Sequence, residues 1–170
     1  MDPIALIPSA NTNITIKRIK TLSFTINELA IRQDEELLKA ELGLSLGFSV
    51  EKNLIELKVR TYYSYPEDTS PVADITVQNI FEVNSLAPYL ERPNFIVLPD
   101  KVIITLVGLS ISHTRALLSQ CLLGTPLQDS IMSILDPAEV AKHYFPYMFT
   151  SPSPIPSSSA TPTVYNQTRT

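Results

Sequence analysis

Two histidines, one cysteine and a run of three acids are the side chains whose types could do chemistry here. His113 and His143 stand 30 positions apart, and neither has a Cys or carboxylate at metal-ligand spacing; no C-x-x-C or H-E-x-x-H occurs. His113 reads as a helix-face histidine at or near an interface. Cys121 lies in LLSQCLLG, an apolar setting that does not activate a thiol, so it reads as a core or interface residue. Asp34-Glu35-Glu36 reads as a solvated turn rather than an acid/base pair. No nucleophile elbow is expected, and with only four glycines no phosphate-cradling loop. The residues therefore predict a chain that is not an enzyme and carries no metal or cofactor.

With no reactive group to position, function must lie in a surface, and composition bounds which surface. A chain of 170 residues, 44% hydrophobic and 18% charged, is an ordinary globular domain with a substantial core. Its net charge of -4 lacks the basic footprint that nucleic acid calls for. The single Cys121 fits a reducing, cytoplasmic compartment. The N-terminus has no basic region followed by an apolar core, so no export signal is expected. The longest apolar stretch, Phe95 to Leu109, is broken by Pro99, Asp100, Lys101 and Thr105, which predicts a soluble protein without membrane insertion.

Residues 1–13 read as a flexible arm, 14–149 as a single domain, and 150–170, rich in Pro, Ser and Thr, as a disordered tail. Period-2 patterning predicts four strands. The first, about Ile14 to Ala30, alternates irregularly through Ile19, Leu22, Phe24 and Ile26. The second runs Leu37–Val50, the third is LIELKVRTYYSY, and the fourth is VADITVQNIFEV. Short links between them predict an antiparallel meander. The period then changes: Leu98, Val102, Leu106, Leu109, His113, Ala116, Leu117 and Gln120 form a helical stripe from Pro99-Asp100 to Gly124. Asp136-Pro137-Ala138-Glu139 opens a second, shorter helix. Four strands followed by two helices predict an α+β fold with the long helix covering one sheet face.

The order of parts and several local sequences resemble the SecB family of export chaperones and its SecB-like relatives. TYYSYPEDTSPVADITVQNIFEV is similar to the family's third-to-fourth strand hairpin, with Asp74, Ile75, Ile80 and Phe81 at matching positions and Asn79 where the family often has Gly. Leu98-Pro99, Arg115, Gly124, Leu135-Asp136-Pro137 and Val140 resemble its proline-led long helix, glycine turn and last helix. The resemblance covers roughly residues 15–145. It implies an ATP-independent holdase that binds unfolded polypeptides in apolar grooves and assembles as a homotetramer, a dimer of dimers. It also implies docking of the export motor SecA on Tyr65, Glu67 and Asp68, against the reading of those residues as an ordinary acidic turn. The long tail departs from the family's short acidic end. Two other readings stand beside it: a non-catalytic assembly or adaptor subunit, and a small protein enclosing an apolar ligand.

LGLSLGFSV, residues 42–50, sets Leu42, Leu44, Leu46, Phe48 and Val50 on one side of a strand and Gly43, Ser45, Gly47 and Ser49 on the other. The large side is expected beneath the long helix as the central contact of the fold. The small side, where glycine packs nothing, is expected at a subunit contact or along a client groove with Tyr62 and Tyr63.

Overall fold

Strict alternation builds the middle of the sheet. Strand β3 (Leu54–Ser64) buries Ile55, Leu57, Val59, Thr61 and Tyr63 and leaves Glu56, Lys58, Arg60 and Tyr62 on the other face. Strand β4 (Ala73–Val83) buries every second residue from Ala73 to Val83. A half-covered antiparallel sheet has this period of two. The structure is a computed structural model and describes residues 12–32, 38–130 and 132–149. The expected arm up to residue 11, the acids Asp34 to Glu36 and the expected tail lie outside the described residues.

Strand β2 (Lys39–Ser49) pairs with β3 across a turn in which Asn53 takes φ 53°. Asparagine is among the few residues that enter this left-handed region readily. Its carbonyl accepts the Val83 N–H at 2.9 Å and its Oδ1 accepts the Leu86 N–H at 3.0 Å, so this one turn also fixes where the chain leaves β4.

Strand β1 (Ile14–Ile26) explains its irregular alternation. Register shifts between Ile16 and Arg18 and between Thr21 and Ser23 place Ile14, Ile16, Ile19, Thr21, Phe24 and Ile26 opposite the buried residues of β4. Each bulge adds one residue, so the apolar spacing lengthens from two to three and the register with the buried residues of β4 is kept, though at this edge Ile16 and Ile19 remain exposed. The four-stranded antiparallel sheet is as expected, but its order β1-β4-β3-β2 corrects the sequential meander. Only β2, β3 and β4 are linked by hairpins; β1 lies beside β4, a Greek-key order. Both β1 and β2 are therefore edge strands.

Helix α1 (Asp100–Leu122) lies over β3 and β4. It starts after Pro99, whose carbonyl accepts the Val102 and Ile103 N–H groups. It ends in a turn with Gly124 at φ 77°, closed by the Thr125 N–H on the Leu122 carbonyl at 3.0 Å. Its buried face is Val102, Ile103, Leu106, Val107, Ser110, Ile111, Thr114, Leu118 and Leu122. The expected stripe shares Val102 and Leu106, but Ala116 and Gln120 are exposed. Apolar residues stand nearly all round this helix, so their spacing left its rotation undetermined. The helix is long and apolar enough to cross a membrane by length and composition, but here that buried face packs on the sheet.

Helix α2 (Pro137–Tyr144) is capped by Asp136, whose side chain accepts the Ala138 N–H at 2.8 Å. It docks against α1 at Gly108, where an added Cβ would lie 3.2 Å from Pro137 Cγ; glycine lets the two helices approach. A short hairpin of β5 (Leu90–Arg92) and β6 (Phe95–Ile96) precedes α1.

Under α1 the core is Ile55, Leu57, Val59, Ile75, Val77 and Phe81, each fully buried and contributing about 1.5–3 kcal/mol. That row, not the large side of β2, is the central contact. Leu42, Leu44, Leu46, Phe48 and Val50 are only partly buried, packed beside a cluster that includes Met132, Ala141, Phe145 and Met148. The reason is position: β2 is an edge strand, and the long helix sits over the sheet's centre.

Candidate functional site

The outer edge of β2 combines unpaired backbone with an apolar row. Antiparallel partners alternate between exchanging backbone bonds and turning them away. The Tyr144 hydroxyl donates to the Leu42 carbonyl from outside the sheet, so Leu42 faces the open edge. By the same alternation so do the backbone groups of Leu44, Leu46 and Phe48. Among the described residues Leu44, Leu46 and Phe48 thus turn unpaired N–H and C=O groups to the edge, and with Leu42 they set half-buried side chains on the helix face.

Each end of this edge opens into a cleft. One, of about 350 Å³, lies between Leu38, Ala40 and Leu42 on the strand side, Tyr63 beneath, and Met132 and Leu135 from the segment leading to α2. The Tyr63 hydroxyl donates to the Ser130 carbonyl at 3.2 Å and holds that segment in place. The other, of about 400 Å³, lies between Leu46 to Glu51 and the β5–β6 hairpin, with Leu90, Pro93 and Asn94 as its far wall. Burial pushes the Tyr63 hydroxyl above the usual tyrosine range, opposed by the charge of Arg115. Burial, helped by the Glu41 charge, does the same at Tyr144. Both therefore remain protonated donors. This arrangement can receive an extended chain: main-chain bonds along the strand and apolar side chains at either end.

No family model matches the chain, and no curated protein matches it. Among solved structures, a SecB-like chaperone of Mycobacterium tuberculosis, determined in complex with a ChAD peptide from an antitoxin, is similar at 11% identity and a TM-score of 0.42. The match covers 72% of this chain and 87% of that one. A likeness this distant neither assigns the chain to a family nor says what it binds.

The residues expected to form one groove divide between two faces. Gly43, Ser45, Gly47 and Tyr62 lie on the outer face, whereas Tyr63 is 3% exposed on the helix side and lines the first cleft. Gly43 stands opposite Arg60, Ser45 opposite Lys58 and Gly47 opposite Glu56. Only the Cβ atoms of Arg60 and Glu56 come within 4 Å of where a side chain on Gly43 or Gly47 would stand, because the charged ends of both turn toward β4. Arg60 grips Asp74 with Nε at 3.0 Å and a terminal nitrogen at 2.5 Å, and lies 5.0 Å from the Tyr62 ring centre. Tyr62 donates to Glu41, and Glu56 takes Lys58 at 2.8 Å and Gln78 at 2.9 Å. The outer face is a paired polar network.

The residues expected to dock an export motor are placed differently again. Tyr65 is 2% exposed, with the Arg32 guanidinium 4.8 Å from its ring centre and the Arg32 N–H on its oxygen at 2.9 Å. Asp68 pairs with Arg32 at 2.8 Å, and Glu67 is exposed. An apolar anchor beside free acids is not assembled at this turn.

Sequence reasoning passed over one pattern: Gly43-Leu44-Ser45-Leu46-Gly47 spells G-x-S-x-G. A nucleophile elbow needs that sequence at a sharp strand-to-helix turn. Here it runs through the middle of β2, with Ser45 opposite Lys58 on the outer face. His113 is on α1, its Nδ1 2.8 Å from Oδ1 of buried Asn79, and His143 is on α2. Asn79 donates to the Leu57 carbonyl, so its Oδ1 is the acceptor and His113 the donor. Among the described residues no group of three or more His, Cys, Asp or Glu could hold a metal ion.

Proposed function

We propose that this protein is an ATP-independent, cytoplasmic holdase that binds non-native polypeptides along the open edge of β2. One observation carries the reading: Leu44, Leu46 and Phe48 turn their backbone groups to the open edge, next to the Leu42 carbonyl that Tyr144 holds, with half-buried apolar side chains between two clefts. A client segment placed there gains main-chain hydrogen bonds and removes apolar surface from water. A folded client has both already satisfied internally, so discrimination is built in. Met132 and Leu135 supply adaptable contacts suited to varied sequences.

Self-association belongs to the same proposal. The opposite edge strand, β1, exposes Ile16, Ile19 and Leu22 at 44%, 41% and 43%. An apolar edge of this kind favours a second copy, which supports an even-numbered assembly, a dimer or a dimer of dimers, as part of the proposal. That observation also supports the second reading, a non-catalytic assembly subunit. Nothing in the buried ring of Tyr65 or the Arg32–Asp68 pair supports a docked export motor.

The test is aggregation of a chemically denatured client, without nucleotide, in the presence of stoichiometric protein, together with mass in solution. Suppression that falls at least tenfold in Leu46→Lys supports the holdase. An oligomer that suppresses nothing supports the assembly subunit instead.

A further inference from the structure

A third cleft, of about 290 Å³, shares Tyr63 and Met132 with the one at Leu38 to Leu42, so the two adjoin across a common wall. Its other side is α1, where Ser112, Arg115 and Ser119 stand three and four residues apart and so share one stripe of the helix. The two clefts differ in charge. Glu41 stands at the first, its carboxylate already taking the Tyr62 hydroxyl. Among the described residues no acid lines the other, and its one charged group is Arg115.

Arg115 is half-buried, and among the described residues it makes no hydrogen bond or ion pair. Arg32 and Arg60, by contrast, are held by Asp68 and Asp74, and Arg18 and Arg92 are exposed to water. A guanidinium that loses water without gaining a partner carries a cost, which a bound anion removes. Donors in this cleft are few. Ser112 donates to the Gly108 carbonyl at 2.8 Å, and Tyr63 to the Ser130 carbonyl at 3.2 Å. Arg115 and Ser119 remain for a ligand, and the guanidinium fork matches the two oxygens of a carboxylate.

We infer that the Arg115 cleft takes the side-chain carboxylate of an aspartate or glutamate in a client whose neighbouring apolar residue occupies the Leu42 cleft. The inference rests on the reading of the β2 edge as a polypeptide site, and it names the segments preferred there: apolar residues accompanied by an acid. A net charge of -4 by itself favours basic segments, so a preference for an acid is set by this one site.

End-capped fluorescent peptides of alternating Leu and Thr, differing only in one central Glu, Gln or Lys, are titrated into the full chain, Arg115→Gln and Arg115→Lys. Far-UV circular dichroism verifies the fold of each. The inference predicts that the Glu peptide binds about tenfold more tightly than the Gln peptide, the size expected for a hydrogen bond to a charged group, and that the Lys peptide binds weakest. The preference for Glu over Gln should vanish in Arg115→Gln and return in part in Arg115→Lys, which keeps the charge without the fork. Equal binding of the Glu and Gln peptides to the unaltered chain overturns the inference. A preference that survives in Arg115→Gln also overturns it, since the acid is then read elsewhere. So does a Gln peptide that binds better once its C-terminal cap is removed, because the cleft then takes a chain end. Acetate is titrated separately against the Arg115 Nε–H signal of the unaltered chain, with chloride at equal ionic strength as the control. If no peptide binds but acetate saturates that signal, the holdase reading fails and the carboxylate site stands; if neither binds, both fail.

Discussion

Replacing both Gly43 and Gly47 with alanine is expected to stabilise the fold and leave client binding unchanged. A Cβ at Gly43 would meet only Arg60 Cβ, at 4.0 Å, and one at Gly47 only Glu56 Cβ, at 3.9 Å. Those are ordinary van der Waals distances, and neither glycine has the positive φ that a side chain would strain. The main effect then falls on the unfolded chain, which loses conformational freedom worth about 0.5–1 kcal/mol per site. The sites are four residues apart along an extended strand, roughly 13 Å, far enough for the two gains to add. The double variant should gain about 1–2 kcal/mol and melt roughly 3–8 °C higher. Thermal unfolding followed by circular dichroism measures the first quantity, and anisotropy of a labelled client peptide the second. Weakened client binding in a variant of equal or higher melting temperature would put the site on the outer face. A fall in melting temperature would refute the claim that this face is open.

Two further outcomes follow from single contacts. Asp136→Ala removes the side chain that accepts the Ala138 N–H, and should cost about 1 kcal/mol in urea unfolding while loosening Tyr144 from the β2 edge. For His113, burial holds the imidazole below its ordinary value of 6.5, so its contribution to stability is complete above that value and is lost as pH falls through the lower, folded one. The urea midpoint should therefore drop between pH 7 and 5, and His113→Gln should flatten that part of the curve; an unchanged slope would mean that His113 takes up its proton equally well in the folded protein.

The elements were legible where they are written locally. Alternation in β3 and β4, Pro99-Asp100 at the start of α1 and the Asp136-Pro137 cap each lie within a few residues and each stand where the sequence puts them. Three features were not local. The pairing of β1 with β4 is a choice between distant partners, and only the spacings of Ile16 to Ile19 and Thr21 to Phe24 carry its trace, as bulges. The rotation of α1 was hidden because Ile103, Ile104, Leu106, Val107 and Leu109 offer apolar residues on more than one face. The expected groove residues divide between faces for a physical reason: Gly43, Ser45 and Gly47 of β2 share the outer face with Arg60, Lys58 and Glu56, whose charged ends pair within the sheet, while Tyr63 turns to the helix side. What marks the candidate site is the large side of the same strand, left half-covered by its place at the edge. Position in the sheet, not composition, decides that.

Paramagnetic broadening from a spin-labelled client peptide tests the open edge most directly. With the peptide bound, signals of Leu42, Leu44, Leu46 and Phe48 should broaden most, followed by Met132 and Leu135. Broadening centred on Tyr62, Arg60 and Lys58 of the outer face, or on Ile16 and Ile19 of β1, would contradict the assignment of the client site to β2.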